Sequence, residues 1–235
     1  CGWKVRFQRV QAERVTQSHR RTVNEPLPGL SDQQLELCRR LAVLISRNQS
    51  RPWAVRANAP GPGPQPLQST GSNDTMTAVR TTTLRKSYGR ASVLKGVDLE
   101  VPGATIFALA GVNGAGKTTL IKCLLDFCCP SSGRIEVFGV DSRLTTARAN
   151  LAYLPERFVP PWYLDGAAFL RYVLALQRAA YEPQAVSRVL DRLDLDPSAL
   201  ERPVRQFSKG MTQKLGLAAC VLSGKQLLVL DEPMS

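Results

Sequence analysis

Residues 111–119 read Gly111-Val112-Asn113-Gly114-Ala115-Gly116-Lys117-Thr118-Thr119. That order suits the holding of a polyphosphate. Glycines at 111, 114 and 116 allow backbone conformations closed to other residues, so successive N–H groups around Asn113 can point inward at phosphate oxygens. A helix opening directly after the loop adds the positive end of its dipole. Lys117 is spaced to meet the β- and γ-phosphates, the Thr118 hydroxyl to ligate Mg²⁺, and Thr119 to add a phosphate contact. A tight turn alone would explain the glycines but not the lysine and threonine that follow them.

A second chemical pattern closes the chain. Leu227-Leu228-Val229-Leu230 is an apolar run that delivers Asp231 and Glu232 at its end. Carboxylates at the carboxyl end of a strand, beside a phosphate loop, fit Asp231 as a partner of Mg²⁺ and Glu232 as the general base that orients and deprotonates an attacking water. By itself an Asp-Glu pair is more often a solvated turn. The upstream phosphate loop reverses that weighting.

These residues need elements to hold them. Val97, Leu99 and Val101 alternate with polar residues and predict a half-buried strand. Pro102-Gly103 turns the chain into Thr105–Ala110, a continuous apolar run that reads as the strand feeding the loop. Leu120, Ile121, Leu124 and Leu125 then recur at helical spacing. Further strands are expected at Gly133–Phe138 and Leu151–Leu154, helices across 165–200 with an apolar stripe of Val186, Val189, Leu190 and Leu193, and a helix over Met211–Leu222. Strand–loop–helix units with a late buried strand predict an α/β fold.

The first 75 residues differ from the rest. Ser31 and Gln34 fit a capping box ahead of one short helix, and a proline- and glycine-rich linker follows at 59–66. This stretch is expected to be a poorly ordered or spurious extension, with the domain proper at 76–235. The net charge of +12 raises nucleic acid as a partner. However, residues 1–75 hold 11 basic and 5 acidic side chains while the rest hold 20 and 14, so half the excess lies outside the domain. A solvated basic surface is the better reading, and nucleic acid is not expected. Six cysteines form no CxxC pair and His19 is the only histidine, so zinc spacing is absent and reduced thiols are expected. Cys128-Cys129 reads as helix-end packing. No apolar run approaches the about 20 residues that a membrane span needs, so any span must come from another chain.

Together these residues resemble the nucleotide-binding domain of ABC transporters, over essentially all of 76–235. Phe207-Ser208-Lys209-Gly210-Met211 is similar to the family's signature, usually LSGGQ. Ser208 and Gly210 match, whereas Lys209 and Met211 replace a glycine and a glutamine. By itself this segment is a serine helix cap. The resemblance implies that it contacts the γ-phosphate held by a partner subunit. It also implies that Tyr88 stacks on adenine, and that Glu156, where many members carry glutamine, touches Mg²⁺ and senses the membrane partner. The implied fold is a P-loop NTPase of the ABC type: a central, mainly parallel sheet, a small antiparallel β region and a helical subdomain at about 160–206, incomplete at the C-terminus. The Tyr153-Leu154-Pro155-Glu156 form resembles the exporter branch. The implied function is ATP hydrolysis coupled to export through a separate membrane permease, with a second ATP-binding domain, such as a second copy, completing each site. The implied location is cytoplasmic, at the inner face of the cell membrane.

Family members continue past the acidic strand to a histidine near the γ-phosphate, and His19 cannot match it. The sequence therefore reads as truncated, with an open apolar edge along Leu227–Val229, weak ATP binding and no detectable hydrolysis by residues 1–235 alone. The competing readings are a soluble ABC ATPase acting on ribosomes or nucleic acid, and a short form that binds nucleotide without chemistry.

Overall fold

The computed structural model of the chain describes residues 10–11, 76–109 and 111–233. The helix expected from Ser31 and the linker at 59–66 lie outside the described residues. The elements are β1 (Val10–Gln11), β2 (Thr77–Tyr88), β3 (Ala91–Pro102), β4 (Thr105–Ile106), α1 (Lys117–Leu124), β5 (Ser132–Val137), β6 (Val140–Asp141), α2 (Thr145–Arg148), β7 (Leu151–Leu154), α3 (Gly166–Leu176), α4 (Pro183–Arg192), α5 (Lys209–Leu222) and β8 (Leu227–Leu230). Two short 3₁₀ turns, Pro197–Glu201 and Val204–Gln206, lead into α5.

The largest sheet is antiparallel, in the order β3-β2-β5-β6. Local chain reversal explains it: β2 and β3 are joined at Gly89, whose φ of 55° suits a tight hairpin turn. Leu84 and Leu94 are fully buried on its inner face, with Val79, Leu99, Val101, Ile135 and Val137 around them. The pairing is interrupted between Thr81 and Leu84, where the Thr83 N–H donates to Asp98 Oδ1 at 2.6 Å. There β5 comes so close that a Cβ on Gly133 would lie 2.6 Å from the carbonyl oxygens of Thr82 and Thr83.

The parallel part is smaller than expected. It consists of β7 and β8, in register from Leu151 opposite Leu227 to Leu154 opposite Leu230. β8 thus has β7 as a neighbour along its whole length on one side, and β7 is its only strand partner among the described residues. The run at 105–110 is corrected. Only Thr105–Ile106 is strand, paired antiparallel with Val10–Gln11, and residues 107–109 carry no regular structure. An apolar run becomes a parallel strand only where a neighbour offers a ladder of hydrogen bonds, and no such pairing is present among the described residues.

The two-residue period of β7 and β8 divides the interior. Leu151, Tyr153, Leu227 and Val229 face the core under the antiparallel sheet, which also takes Leu120, Cys123 and Leu124 of α1. Ala152, Leu154, Leu228 and Leu230 face the core of α3, α4 and α5. In that second core Leu170, Leu190 and Leu215 are wholly excluded from water, each contributing about 2 kcal/mol. The helices begin where the sequence offers caps. Asp165 accepts from the Ala168 N–H at 2.6 Å, and Pro183 occupies the first turn of α4.

Candidate functional site

α1 begins without a side-chain cap. Gly116, at φ 97°, stands at its N-cap, preceded by Gly114 at φ 78°. Both values lie in the left-handed region that glycine enters at little cost. The loop from 111 to 114 is exposed, and Leu120, one turn into the helix, is the first residue after it to reach the core. The Lys117 ammonium donates back across the loop to the carbonyls of Gly111 at 2.7 Å and Val112 at 3.3 Å. Lysine and glycines therefore form one closed loop, with Thr118 exposed and Thr119 half-buried at the helix start.

The acidic strand ends against this loop. The Asp231 N–H donates to the Leu154 carbonyl at 2.9 Å, extending the parallel ladder one step. That pairing brings Glu156, two residues past Leu154, to the same end of the strand pair as Asp231 and Glu232. Asp231 is 8% exposed. Burial is the first cause that raises its carboxyl above the usual range, and the charges of Glu156 and then Glu232 push it the same way. Lys117 and Lys122 oppose them. Tyr153 belongs to the same cluster. Burial first, then Asp231 and Glu156, hold its phenol protonated above its ordinary range. The phosphate-loop lysine and all three expected carboxylates are thus electrostatic neighbours at the carboxyl end of β7–β8.

Sequence reasoning missed Lys122 and Tyr153. Lys122 lies on the helix behind the loop, and no motif includes it. Tyr153 had a signal in the alternation of β7, which sends it to the same face as Leu151.

Tyr88 closes β2, 49% exposed. Its hydroxyl donates to Cys128 Sγ at 3.6 Å, the first cause that raises the phenol's pKa, while the Thr119 hydroxyl acts in the opposite sense. Tyr88 therefore stands at the edge of the phosphate loop, with Lys86 Nζ 4.8 Å from its ring centroid.

The signature-like segment is built on the other core. Ser208 caps α5, its Oγ accepting from the Met211 N–H at 3.2 Å, and the helix starts two residues earlier than the sequence pattern suggested. Ser208, Lys209 and Gly210 are exposed. Met211 is half-buried against the helical core, so its side chain is a packing group in this chain.

The described residues contain no helix long and apolar enough to cross a membrane.

Comparison with known proteins shows which family the chain is similar to. The chain is 33% identical over 150 residues to the lantibiotic transport ATP-binding protein SrtF of Streptococcus pyogenes, covering 64% of each sequence. It is 32% identical over 161 residues to the bacitracin transport ATP-binding protein BcrA of Enterococcus faecalis, covering 67% of this chain and 51% of that one. It thus spans between about half and two thirds of the length of these relatives. Among solved structures, an ATP-binding subunit of an ABC transporter superposes with a TM-score of 0.59 at 29% identity, over 67% of each chain. A putative ABC transporter ATP-binding protein of Pyrococcus furiosus has the same fold, with a TM-score of 0.56 at 23% identity over 66% of this chain and 75% of that one. The family description "ABC transporter" matches residues 94–235, the span that holds the loop, the signature-like helix and the acidic strand, and the chain belongs to that family.

Proposed function

We propose that this chain is the ATP-binding portion of an exporter-type ABC transporter, an ATPase that works through a separate membrane permease. The observation that carries the reading is the convergence of Lys117, Glu156, Asp231 and Glu232 at one end of the parallel strand pair, next to a glycine loop. The loop N–H groups and Lys117 bind the phosphates, Tyr88 supports the adenine, and Glu232 orients the attacking water and takes its proton. The donor set fits Mg²⁺: a threonine hydroxyl and an acidic cluster whose buried member, Asp231, is hard to ionise without a nearby cation. Thr118, Asp231 and Glu156 would hold the ion, which when bound neutralises charge on the phosphates.

The exposed start of α5 supports a second copy as partner, with Ser208, Lys209 and Gly210 presented to nucleotide bound by the other subunit. The names of relatives support transport. A daunorubicin resistance ATP-binding protein of Streptomyces coeruleorubidus is 34% identical over 161 residues. The surface between β7 and α3 supports a membrane partner. Val159, Trp162 and Tyr163 are 86%, 64% and 68% exposed, an apolar group suited to a cytoplasmic segment of the permease. The protein would then lie at the cytoplasmic face of the membrane. The test is ATP binding and turnover by the assembled transporter. Glu232→Gln should retain ATP and lose hydrolysis, and unchanged turnover in that variant would sink the assignment of the base.

A further inference from the structure

Three cysteines crowd the adenine end of the proposed site, and the sequence does not pair the two that matter. α1 ends at Leu124, and Asp126 takes a φ of 60°. The N–H groups of Phe127 and Cys128 then donate to the Lys122 carbonyl at 2.8 and 3.3 Å. This fold-back lays Cys128 against the last turn of the helix, with its Sγ 3.5 Å from Cys123 Sγ. Cys123 is 1% exposed and Cys128 is half-buried, while Cys129 is exposed. On its outer side Cys128 accepts the Tyr88 hydroxyl. One sulfur thus links a buried thiol to the tyrosine proposed to support adenine.

We propose that Cys123 and Cys128 are a dithiol that peroxide closes to a reversible disulfide, and that closure weakens nucleotide binding by withdrawing Cys128 from Tyr88. The second half rests on the adenine role given to Tyr88 above. The Cys128 thiolate attacks one oxygen of hydrogen peroxide, the O–O bond breaks, and hydroxide leaves and is protonated to water. Cys128 is now a sulfenic acid. The Cys123 sulfur attacks the Cys128 sulfur, the S–S bond forms, the S–O bond breaks, and the hydroxyl leaves as a second water with the Cys123 proton. Two thiols lose two electrons and two protons, and one peroxide becomes two waters. The order of attack follows access. Cys128 meets solvent and Cys123 does not, and burial pushes the Cys123 thiol up to about 12, which keeps it a poor first nucleophile. Closing the bond brings the sulfurs from 3.5 Å to about 2 Å, a shift that draws Cys128 from the Tyr88 hydroxyl.

The test is peroxide treatment of the full chain, alkylation of remaining thiols, and mass mapping of the tryptic peptide Cys123–Arg134, which holds all three cysteines. The expected product lacks two hydrogens, carries alkyl only on Cys129, and reverts with dithiothreitol. Cys128→Ser and Cys123→Ala should each abolish it, and Cys129→Ser should not. A bond to Cys129, or none, overturns the proposal. Affinity for a fluorescent ATP analogue should fall about fivefold on oxidation, the loss of one modest hydrogen bond, and peroxide should cause no such fall in Cys128→Ser, whatever that variant's starting affinity. A mapped bond with unchanged affinity overturns the coupling alone. A chain that binds no nucleotide in either state overturns the nucleotide reading and the coupling with it, and leaves the mapped bond standing.

Discussion

Two helices in this chain begin at glycine-containing segments to which a phosphate contact is proposed, yet they are started differently. α1 follows Gly116 at φ 97° with no side chain on its first N–H groups. α5 follows Ser208, whose hydroxyl already takes the Met211 N–H. A loop that wraps a phosphate in its own backbone needs its donors open. A helix that offers one face to nucleotide held elsewhere can satisfy a donor internally and be more stable for it.

Charge gives the sharpest test of that contrast. Lys117→Ala should weaken ATP binding on the order of 100-fold, through loss of a charged contact to phosphate. Lys209→Ala should leave binding by the same subunit within about twofold, because the contact proposed for it is to nucleotide held by another subunit. Equal losses in calorimetric titrations of the two variants would dissolve the distinction.

Adding one methyl group should have opposite signs at the two sites. Gly114→Ala must place a side chain at φ 78°, costing about 1–2 kcal/mol. At Gly210 a Cβ meets nothing within 4 Å, and alanine in a helix should gain about 0.5–1 kcal/mol. Urea unfolding of both variants reads the two signs.

Removing the α5 cap should cost less than the Gly114 strain at its largest. Ser208→Ala should lose about 1 kcal/mol of unfolding free energy, with ATP binding by its own subunit unchanged.

The smallest effect concerns the acidic cluster and has a defined sign. Asp231 is held above the usual carboxylate range in the folded chain, by burial and by Glu156 and Glu232. The folded state therefore keeps a proton that the unfolded state has released, and nucleotide-free stability falls as pH rises from the ordinary carboxylate value through the raised one. Asp231→Asn should be more stable than the parent above that window and converge with it below. A gap that stays constant from pH 3 to 8 would rule the linkage out.

What the sequence could tell followed how local each feature is. The glycine loop, Asp231-Glu232 and the Ser208 cap are each written in consecutive residues, and each appears where the pattern put it. β7 and β8 were likewise legible as apolar runs of four. Thr105–Ala110 misled because an apolar run states a wish to be buried and says nothing about which strand will lie beside it. The proximity of Cys128 to both Cys123 and Tyr88 was illegible for a related reason. It depends on a fold-back through Asp126 at φ 60° and on the 12-residue strand that ends at Tyr88. The electrostatic crowding of Asp231 needed the parallel register, which no single motif encodes.

The strand pair β7–β8 also limits where this protein can change length. Every residue from Leu151 to Leu154 is committed to one interior or the other. One residue inserted there would exchange the two sets and carry Glu156 out of step with Asp231. Gly139 has no such commitment, since its φ is 77° and nothing lies within 4 Å of a Cβ placed there, whereas Phe138 before it packs on the core and donates its N–H to the Ala78 carbonyl. Insertions should therefore be accepted at the tip of the β5–β6 hairpin and refused in the few residues that lead into the site.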